Sequence, residues 1–202
     1  MYTKEQVAKT IDHAVLKPEF TIEDLQEHAK MCIRNNVFSM CVKPCDIAAA
    51  KELLKDSDVK VSCVLSFPHG ADATQVKAFQ AKQAIEDGVD EIDMVMNIGR
   101  FLAGDYHYVV EDIKAVIEVA HKHDVPVKVI QESGFLTLDQ VAKACELSYM
   151  AGADFVKTST GFGPGKATPE NVEMMLKTVG DKMKVKASGG IRTWDDAVAF
   201  LE

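Results

Sequence analysis

Short apolar runs alternate with amphipathic stretches along this chain of 202 residues. The runs are rich in β-branched residues and end in turn-forming residues, whereas the stretches between them repeat their apolar positions at helical spacing. The pattern predicts a regular alternation of strands and helices. The seven predicted strands are Thr10–Leu16, Phe38–Val42, Val59–Phe67, Glu91–Asn97, Val125–Gln131, Phe155–Ser159 and Met183–Ala187.

Capping residues mark the starts of several predicted helices. Thr21, Asp72, Thr137 and Thr193 are each followed three residues later by Asp or Gln. A side-chain oxygen at such a position can accept hydrogen bonds from the free amides of the first helical turn. Thr168 precedes a proline, which is tolerated at the first helical position because its missing N–H has no partner there anyway.

One local pattern occurs twice. Gly88 and Gly152 each follow a predicted helix end and precede an alanine or valine, an aspartate and a strand. Glycine is favoured after a helix because it adopts the left-handed conformation without strain. The repetition places Asp93 and Lys157 at equivalent positions on their strands.

Strands and helices that alternate with short loops indicate parallel strands joined by right-handed crossovers. We therefore predict a single α/β domain over residues 1–202, a (β/α)8 TIM barrel. Only seven strands can be counted, and the chain stops at Glu202 inside the helix that starts near Thr193. We expect the eighth strand and last helix to be lacking and the natural protein to be longer; the alternative is a barrel that closes unusually.

An open barrel leaves the edges of its first and seventh strands unpaired, and such edges can pair with another chain. A homodimer is therefore compatible with the prediction. The net charge of −8 argues against nucleic acid and anionic membranes as partners, but not against a small anionic substrate. The chain has no apolar leader and no run long enough to span a bilayer. Its five cysteines lack zinc-type spacing and the histidines form no ligand pattern, so we expect reduced thiols, a cytoplasmic protein and no metal site.

Two lysines near the ends of predicted strands are the strongest candidates for chemistry. Lys157 lies in Phe155-Val-Lys-Thr-Ser-Thr-Gly161 and Lys186 in Lys184-Val-Lys-Ala-Ser-Gly-Gly-Ile-Arg192. A second cation lowers the pKa of an amine, and a neutral amine attacks a carbonyl to form a Schiff base. If both side chains face the barrel interior, the pair indicates imine chemistry; the alternative is that one or both are solvated.

Four further strand residues could support that chemistry. Asp93 is placed to move protons, and Asp12 to orient a lysine or a water. Lys128 interrupts an apolar strand and could tune Asp93. These three residues could instead form structural ion pairs or, for Asp12, pair with the backbone or a histidine. Cys41 either lines the pocket or is a small buried apolar residue.

Glycine-rich turns follow the last two predicted strands. Gly161 opens Gly161-Phe-Gly-Pro-Gly165, and Gly189 and Gly190 follow the strand of Lys186. Glycines let backbone amides approach an anion closely, and barrels commonly bind phosphate at the loops after their last strands. Ordinary tight turns are the alternative explanation.

Together these motifs resemble the deoxyribose-phosphate aldolase family over essentially the whole chain. The most specific segments are Phe155–Phe162 and Lys186–Thr193, supported by Ile11–Pro18, Glu91–Asn97 and Lys128–Ile130. The resemblance implies a metal-independent Schiff-base aldolase without a cofactor. Such an enzyme reversibly cleaves 2-deoxy-D-ribose 5-phosphate to acetaldehyde and D-glyceraldehyde 3-phosphate, a step of deoxyribonucleotide catabolism.

The resemblance also implies roles for the candidate residues. Lys157 would be the nucleophile, Lys186 would lower its pKa and Asp93 would shuttle protons. Lys128 and Asp12 would support that network, with Cys41 beside it. The backbone amides of Gly161, Gly189 and Gly190 would hold the phosphate.

This sequence departs from the family pattern at Ala14, Gln131 and Ser133, where the family usually has Thr, an apolar residue and Thr. It also ends before the strand and loop that complete the family's phosphate site. Two other functions therefore stay open at this point. One is a different lysine-dependent lyase acting on a sugar phosphate or keto acid, and the other is an inactive barrel fragment that serves only in folding or assembly.

Overall fold

Seven parallel strands form one sheet in the computed structural model, which describes residues 2–202. The strands follow one another in the sheet in chain order, as expected for repeated β–α crossovers. All seven predicted strands are confirmed, each shorter than its apolar run. They are β1 Asp12–Val15, β2 Ser39–Val42, β3 Lys60–Leu65, β4 Glu91–Val95, β5 Val127–Ile130, β6 Phe155–Lys157 and β7 Lys184–Lys186.

Helices separate the strands along the described chain. They are α1 Lys4–Ala8, α2 Ile22–Asn35, α3 Ile47–Leu54, α4 Thr74–Glu86, α5 Ile98–Leu102, α6 Tyr106–Ala120, α7 Leu138–Ala151, α8 Pro169–Val179 and α9 Trp194–Ala199. Short 3-10 turns lie at Pro44–Asp46, His121–His123, Ser133–Phe135 and Gly180–Lys182. None of the helices within residues 2–202 is both long and apolar enough to cross a membrane.

Most of the predicted helix starts are confirmed. Thr21, Thr137 and Thr193 cap α2, α7 and α9, and each accepts a hydrogen bond from the amide three residues on. The start predicted at Asp72 is wrong, because Ala73 occupies the cap position of α4. The Asp72 carboxylate instead accepts a hydrogen bond from the side chain of Gln80.

The sheet curls so far that side chains from distant strands meet inside it. Lys128 on β5 and Lys186 on β7 both ion-pair with Asp12 on β1, although neither strand is hydrogen-bonded to β1. The structure is thus an open (β/α) barrel of seven strands. Strand side chains alternate between its two faces. The outward face packs under the helices and includes Met40, Val61, Ile92, Met94, Val129 and Val156, all fully buried.

The inward face is polar, in contrast to the aliphatic layers that usually fill such barrels. Ser39, Ser62, Glu91, Asp93 and Lys128 all lie inside and are buried. A charge buried in this way is costly unless it is paired. The polar interior therefore needs an explanation in terms of function.

Strand register sets the height of each inward side chain. Asp93 is level with Lys128 on β5, while Lys157 is level with Lys186 on β7. Lys157 lies one inward-facing position beyond the level of Asp93, because Lys128 aligns with Phe155. The two lysines that the sequence singles out are therefore direct neighbours on adjacent strands.

Candidate active site

Asp93 and Lys157 form a buried ion pair in the barrel interior. The Lys157 Nζ lies 2.5 Å from Asp93 Oδ2, and the Asp93 side chain is wholly inaccessible to solvent. β4 and β6 supply the two residues, which reach each other across the inner face of β5. Asp93 is the one carboxylate within ion-pair distance of Lys157 in the described part of the chain.

Lys128 lies at the centre of three carboxylates. Its Nζ is 2.5 Å from Glu91 Oε2, 3.0 Å from Asp93 Oδ1 and 3.6 Å from Asp12 Oδ2. Its side chain is only 3% exposed. The ammonium group therefore links the carboxylate on β1 to both carboxylates on β4.

Lys186 pairs with Asp12 at the open edge of the barrel. Its Nζ lies 2.8 Å from Asp12 Oδ2 and donates a hydrogen bond of 2.8 Å to the carbonyl of Thr10. The other oxygen of Asp12 accepts a hydrogen bond from Ser39. Charges thus alternate along one connected cluster, from Lys157 through Asp93, Lys128 and Asp12 to Lys186.

The electrostatics of Lys157 differ from the expectation. Burial alone would lower the pKa of Lys157, but the adjacent Asp93 carboxylate outweighs burial and holds the pKa above its usual value. The prediction that Lys186 lowers the pKa of Lys157 is wrong for this structure, because Lys186 is bound to Asp12 and Thr10, whereas Lys157 is bound to Asp93. The contact with Asp93 therefore favours the ammonium form of Lys157.

Asp93, Asp12 and Lys128 are held in their charged forms, whereas burial raises the pKa of Glu91 above its usual value despite the contact with Lys128. Burial would raise the pKa of Asp93, yet Lys157 and Lys128 outweigh it and leave the pKa below the usual value. Burial likewise opposes the charge of Asp12, but Lys186 and Lys128 lower the pKa of Asp12. The three surrounding carboxylates raise the pKa of Lys128 despite its burial.

Cys41 lies on the inward side of β2, level with Ala14 on β1 and Ser62 on β3. It is 1% exposed. Burial, reinforced by the negative charge of Asp93, raises the pKa of its thiol to about 12. Cys41 is therefore a neutral thiol within the electrostatic reach of the pair formed by Asp93 and Lys157.

The three predicted phosphate-binding glycines lie in loops at the carboxyl ends of β6 and β7. Gly161, Gly189 and Gly190 all have positive φ, between 81° and 85°. A side chain at Gly190 would come within 3.1 Å of Lys166, while Gly161 faces open space. Thr158 joins the two loops, because its hydroxyl donates to the carbonyl of Ser188.

Sequence reasoning gave no catalytic or binding role to two buried glutamates of this region. Glu91 shares the inward face of β4 with Asp93. The period-two alternation of strand side chains could have revealed this position from the sequence. Glu132 follows β5 with φ of +51°, and its carboxylate accepts hydrogen bonds from the amide and hydroxyl of Thr160. Glu132 therefore anchors the loop that carries Gly161. No sequence pattern predicted this role.

The departures from the family pattern lie around this framework. Gln131 faces away from the charge cluster and donates a hydrogen bond to the sulfur of Cys145 on α7. Ser133 accepts a hydrogen bond from the side chain of Asn171 on α8. Within residues 2–202, no group of three or more His, Cys, Asp or Glu side chains is arranged to hold a metal ion.

A curled parallel sheet that encloses a lysine beside a carboxylate defines the chain as an α/β-barrel protein with a buried charge cluster in its interior. Comparison with known proteins agrees with that class. The model of the DeoC/LacD family aldolases matches residues 6–202. The chain therefore belongs to the DeoC/LacD aldolase family, which is a family of carbon–carbon lyases.

Individual relatives cover nearly the whole chain. A deoxyribose-phosphate aldolase of Thermococcus gammatolerans is 52% identical over 97% of this chain and 88% of its own length. One of Streptococcus suis strain 98HAH33 is 54% identical over 96% of this chain and 87% of its own length. The structure of a deoxyribose phosphate aldolase from Aeropyrum pernix, described as a unique tetramer, superposes with a TM-score of 0.91 at 29% identity, covering 98% of this chain and 84% of that one.

Proposed function

We propose that this chain is a deoxyribose-phosphate aldolase that reversibly cleaves 2-deoxy-D-ribose 5-phosphate to acetaldehyde and D-glyceraldehyde 3-phosphate. The observation that carries the proposal is the buried contact of 2.5 Å between Lys157 and Asp93. The family membership and the names of the relatives support the choice of substrate. We further propose that the enzyme is cytoplasmic and acts in deoxyribonucleotide catabolism.

Lys157 is the nucleophile of the proposed reaction. Its ammonium transfers a proton to Asp93, and the neutral amine attacks carbon 1 of the open-chain sugar. Loss of water then gives a protonated imine. Because a site that stabilises an ammonium ion also stabilises an iminium ion, the Asp93 carboxylate favours this intermediate.

The iminium group is the electron sink for carbon–carbon cleavage. Removal of the proton from the hydroxyl on carbon 3 breaks the bond between carbons 2 and 3, and the electron pair moves to the imine as an enamine. D-glyceraldehyde 3-phosphate departs. Protonation of the enamine and hydrolysis then release acetaldehyde and restore Lys157. The iminium supplies the electrophile that a metal ion would otherwise provide, so the proposed mechanism is metal-independent and needs no cofactor.

The remaining candidate residues hold this pair and the substrate. Lys128 and Asp12 complete the charge cluster around Asp93, and Lys186 fixes Asp12 at the open edge. Gly161, Gly189 and Gly190 lie in the loops that follow β6 and β7, where their amides bind the phosphate. Glycine at these positions leaves the backbone accessible to an anion.

A product assay tests the proposal. The chain is incubated with 2-deoxy-D-ribose 5-phosphate, and acetaldehyde and D-glyceraldehyde 3-phosphate are both quantified. We expect both products in equal amounts, and neither from Lys157→Arg, which keeps the charge but lacks a nucleophilic amine. The absence of both products from the folded wild-type chain would refute the proposal. Trapping of pyruvate or dihydroxyacetone phosphate on Lys157 in place of acetaldehyde would indicate a different lysine-dependent lyase.

A further inference from the structure

Glu91 is a buried carboxylate in the barrel interior that has no place in the mechanism above. It lies two residues before Asp93 on β4 and is 6% exposed. Its Oε2 atom is 2.5 Å from the Nζ of Lys128. Among the three carboxylates around Lys128, Glu91 is therefore the nearest.

The position of Glu91 along the strands gives its interaction with Lys128 a direction. Lys128 is level with Asp93, whereas Glu91 is level with Ser62, one inward-facing position nearer the amino ends of the strands. Glu91 therefore holds the Lys128 ammonium from below, on the side away from the barrel mouth. Lys128 is then 3.0 Å from Asp93 Oδ1 and leaves Oδ2 to Lys157.

Glu91 also completes the charge balance of the cluster. The ion pairs connect three lysines, Lys128, Lys157 and Lys186, to three carboxylates, Asp12, Glu91 and Asp93. Without the charge of Glu91, the same buried volume holds one positive charge in excess. Interactions between buried charges are screened weakly, so the excess at Lys128 also acts on the buried Lys157.

We propose that Glu91 is a positioning residue that holds Lys128 away from the barrel mouth. Its negative charge offsets the positive charge of Lys128 and so raises the pH at which the Lys157 ammonium loses its proton. The catalytic consequence rests on the proposed aldolase function. The effect on the Lys157 amine does not, because it follows from the ion pairs alone.

The charged and titratable groups around Lys157 come from several strands. They are Asp12 on β1, Cys41 on β2, Asp93 on β4, Lys128 on β5 and Lys186 on β7. Lys128 opposes the protonated form of Lys157, and Glu91 is the nearest anion that offsets Lys128. Removing the negative charge of Glu91 therefore makes Lys157 lose its proton at lower pH.

Reductive methylation with formaldehyde and cyanoborohydride tests this inference, because the small reagent labels only the neutral amine. Labelling of the Lys157 peptide is measured by mass spectrometry against pH. In Glu91→Gln we expect the pH of half-maximal labelling to fall by about half a unit or more. Glu91→Asp, which keeps the charge, should return it towards the wild-type value. Glu91→Met is a second uncharged variant in case Glu91→Gln does not fold.

Glu52→Gln is the matched control, since it removes one negative charge from an exposed pair with Lys55. We expect its labelling profile to equal that of the wild type. An unchanged profile in the folded uncharged Glu91 variants, or a lowered one in Glu91→Asp, would overturn the inference. The assay uses no substrate, so its outcome is separate from that of the product assay, which tests the aldolase function.

Discussion

Asp93 divides its two carboxylate oxygens between Lys157, 2.5 Å from Oδ2, and Lys128, 3.0 Å from Oδ1. One lysine is the proposed nucleophile and the other is fixed from below by Glu91. Asp93 thus favours the protonated form of Lys157, and its own carboxylate is held in place by Lys128. The predictions about the site follow from this arrangement.

Replacing Asp93 by Asn should make the Lys157 amine neutral at lower pH and yet slow turnover. Asp93 holds the pKa of Lys157 up, so Lys157 in the variant should be methylated at lower pH than in the wild type. Turnover should nevertheless fall by at least about 100-fold, because the proton acceptor is lost. Methylation profiles and kcat together check the prediction. A variant with wild-type turnover would show that Asp93 takes no part in proton transfer.

Replacing Lys186 by Met should leave the titration of Lys157 nearly unchanged. The Lys186 ammonium is bound to Asp12 and to the carbonyl of Thr10, and it is not in contact with Lys157. We expect half-maximal methylation of Lys157 within about 0.3 pH units of the wild-type value, because the Lys186 side chain is 20% exposed and solvent screens its charge. A rise of a full unit or more would restore the role that the family resemblance assigned to Lys186.

Acid should weaken the fold through Asp12. Two lysines lower the pKa of Asp12 against its burial, so Asp12 contributes stability above its unfolded pKa of about 4. That contribution is lost as pH falls from about 4 through the lower folded value. Asp12→Asn should reduce the free energy of unfolding by about 3–5 kcal/mol at pH 7 and flatten its decline at acid pH. Denaturant unfolding at several pH values measures both effects. If stability declined equally with acid in Asp12→Asn and in the wild type, Asp12 would not be the source of the acid sensitivity.

The ion pair between Lys77 on α4 and Asp112 on α6 should affect stability but not chemistry. Both side chains are completely buried, with Nζ 2.6 Å from Oδ2. Asp112→Asn should destabilise the fold by about 3–5 kcal/mol, because it leaves a buried ammonium without its partner. The double variant Lys77→Met with Asp112→Leu should be less destabilised than that single variant. Equal losses in the two variants would show that packing, and not charge, dominates here.

Gly134→Ala should disturb the proposed phosphate loops by steric clash. A Cβ at Gly134 would lie 2.4 Å from the Cα of Gly165, so the loops after β5 and β6 must separate. We expect KM for the phosphorylated sugar to rise about tenfold or more. The free energy of unfolding should fall by about 1–3 kcal/mol. Gly104→Ala is the control: its φ is +77° and its Cβ would meet nothing within 4 Å, so only backbone strain applies. A similar KM for both variants would refute the steric account.

The strands and most helix starts could be predicted because each depends on a local signal. Period-two alternation placed Lys157 and Lys186 on defined faces of their strands, and threonine caps such as Thr137 predicted helix starts. The start at Asp72 failed because a capping pattern does not reveal a competing partner, here Gln80. The pairing of Lys186 with Asp12 was likewise hidden, since it depends on how far the sheet curls.

The family resemblance named candidate residues that the structure brings close together, but it did not predict their electrostatics. Adjacent lysines suggested a lowered pKa for Lys157, whereas the structure gives each lysine its own carboxylate. The choice of partner depends on register offsets of one inward position between strands. A sequence pattern does not encode those offsets, and it gave no notice of the backbone conformation at Glu132.

Borohydride reduction of the wild-type chain with 2-deoxy-D-ribose 5-phosphate, followed by peptide mass spectrometry, tests the central claim most directly. The account predicts a reduced adduct on Lys157, carrying either the sugar phosphate or the ethyl group left by acetaldehyde. Lys157→Arg should carry none. An adduct on Lys186 alone would reverse the proposed roles, and no adduct on the folded chain would contradict the imine mechanism.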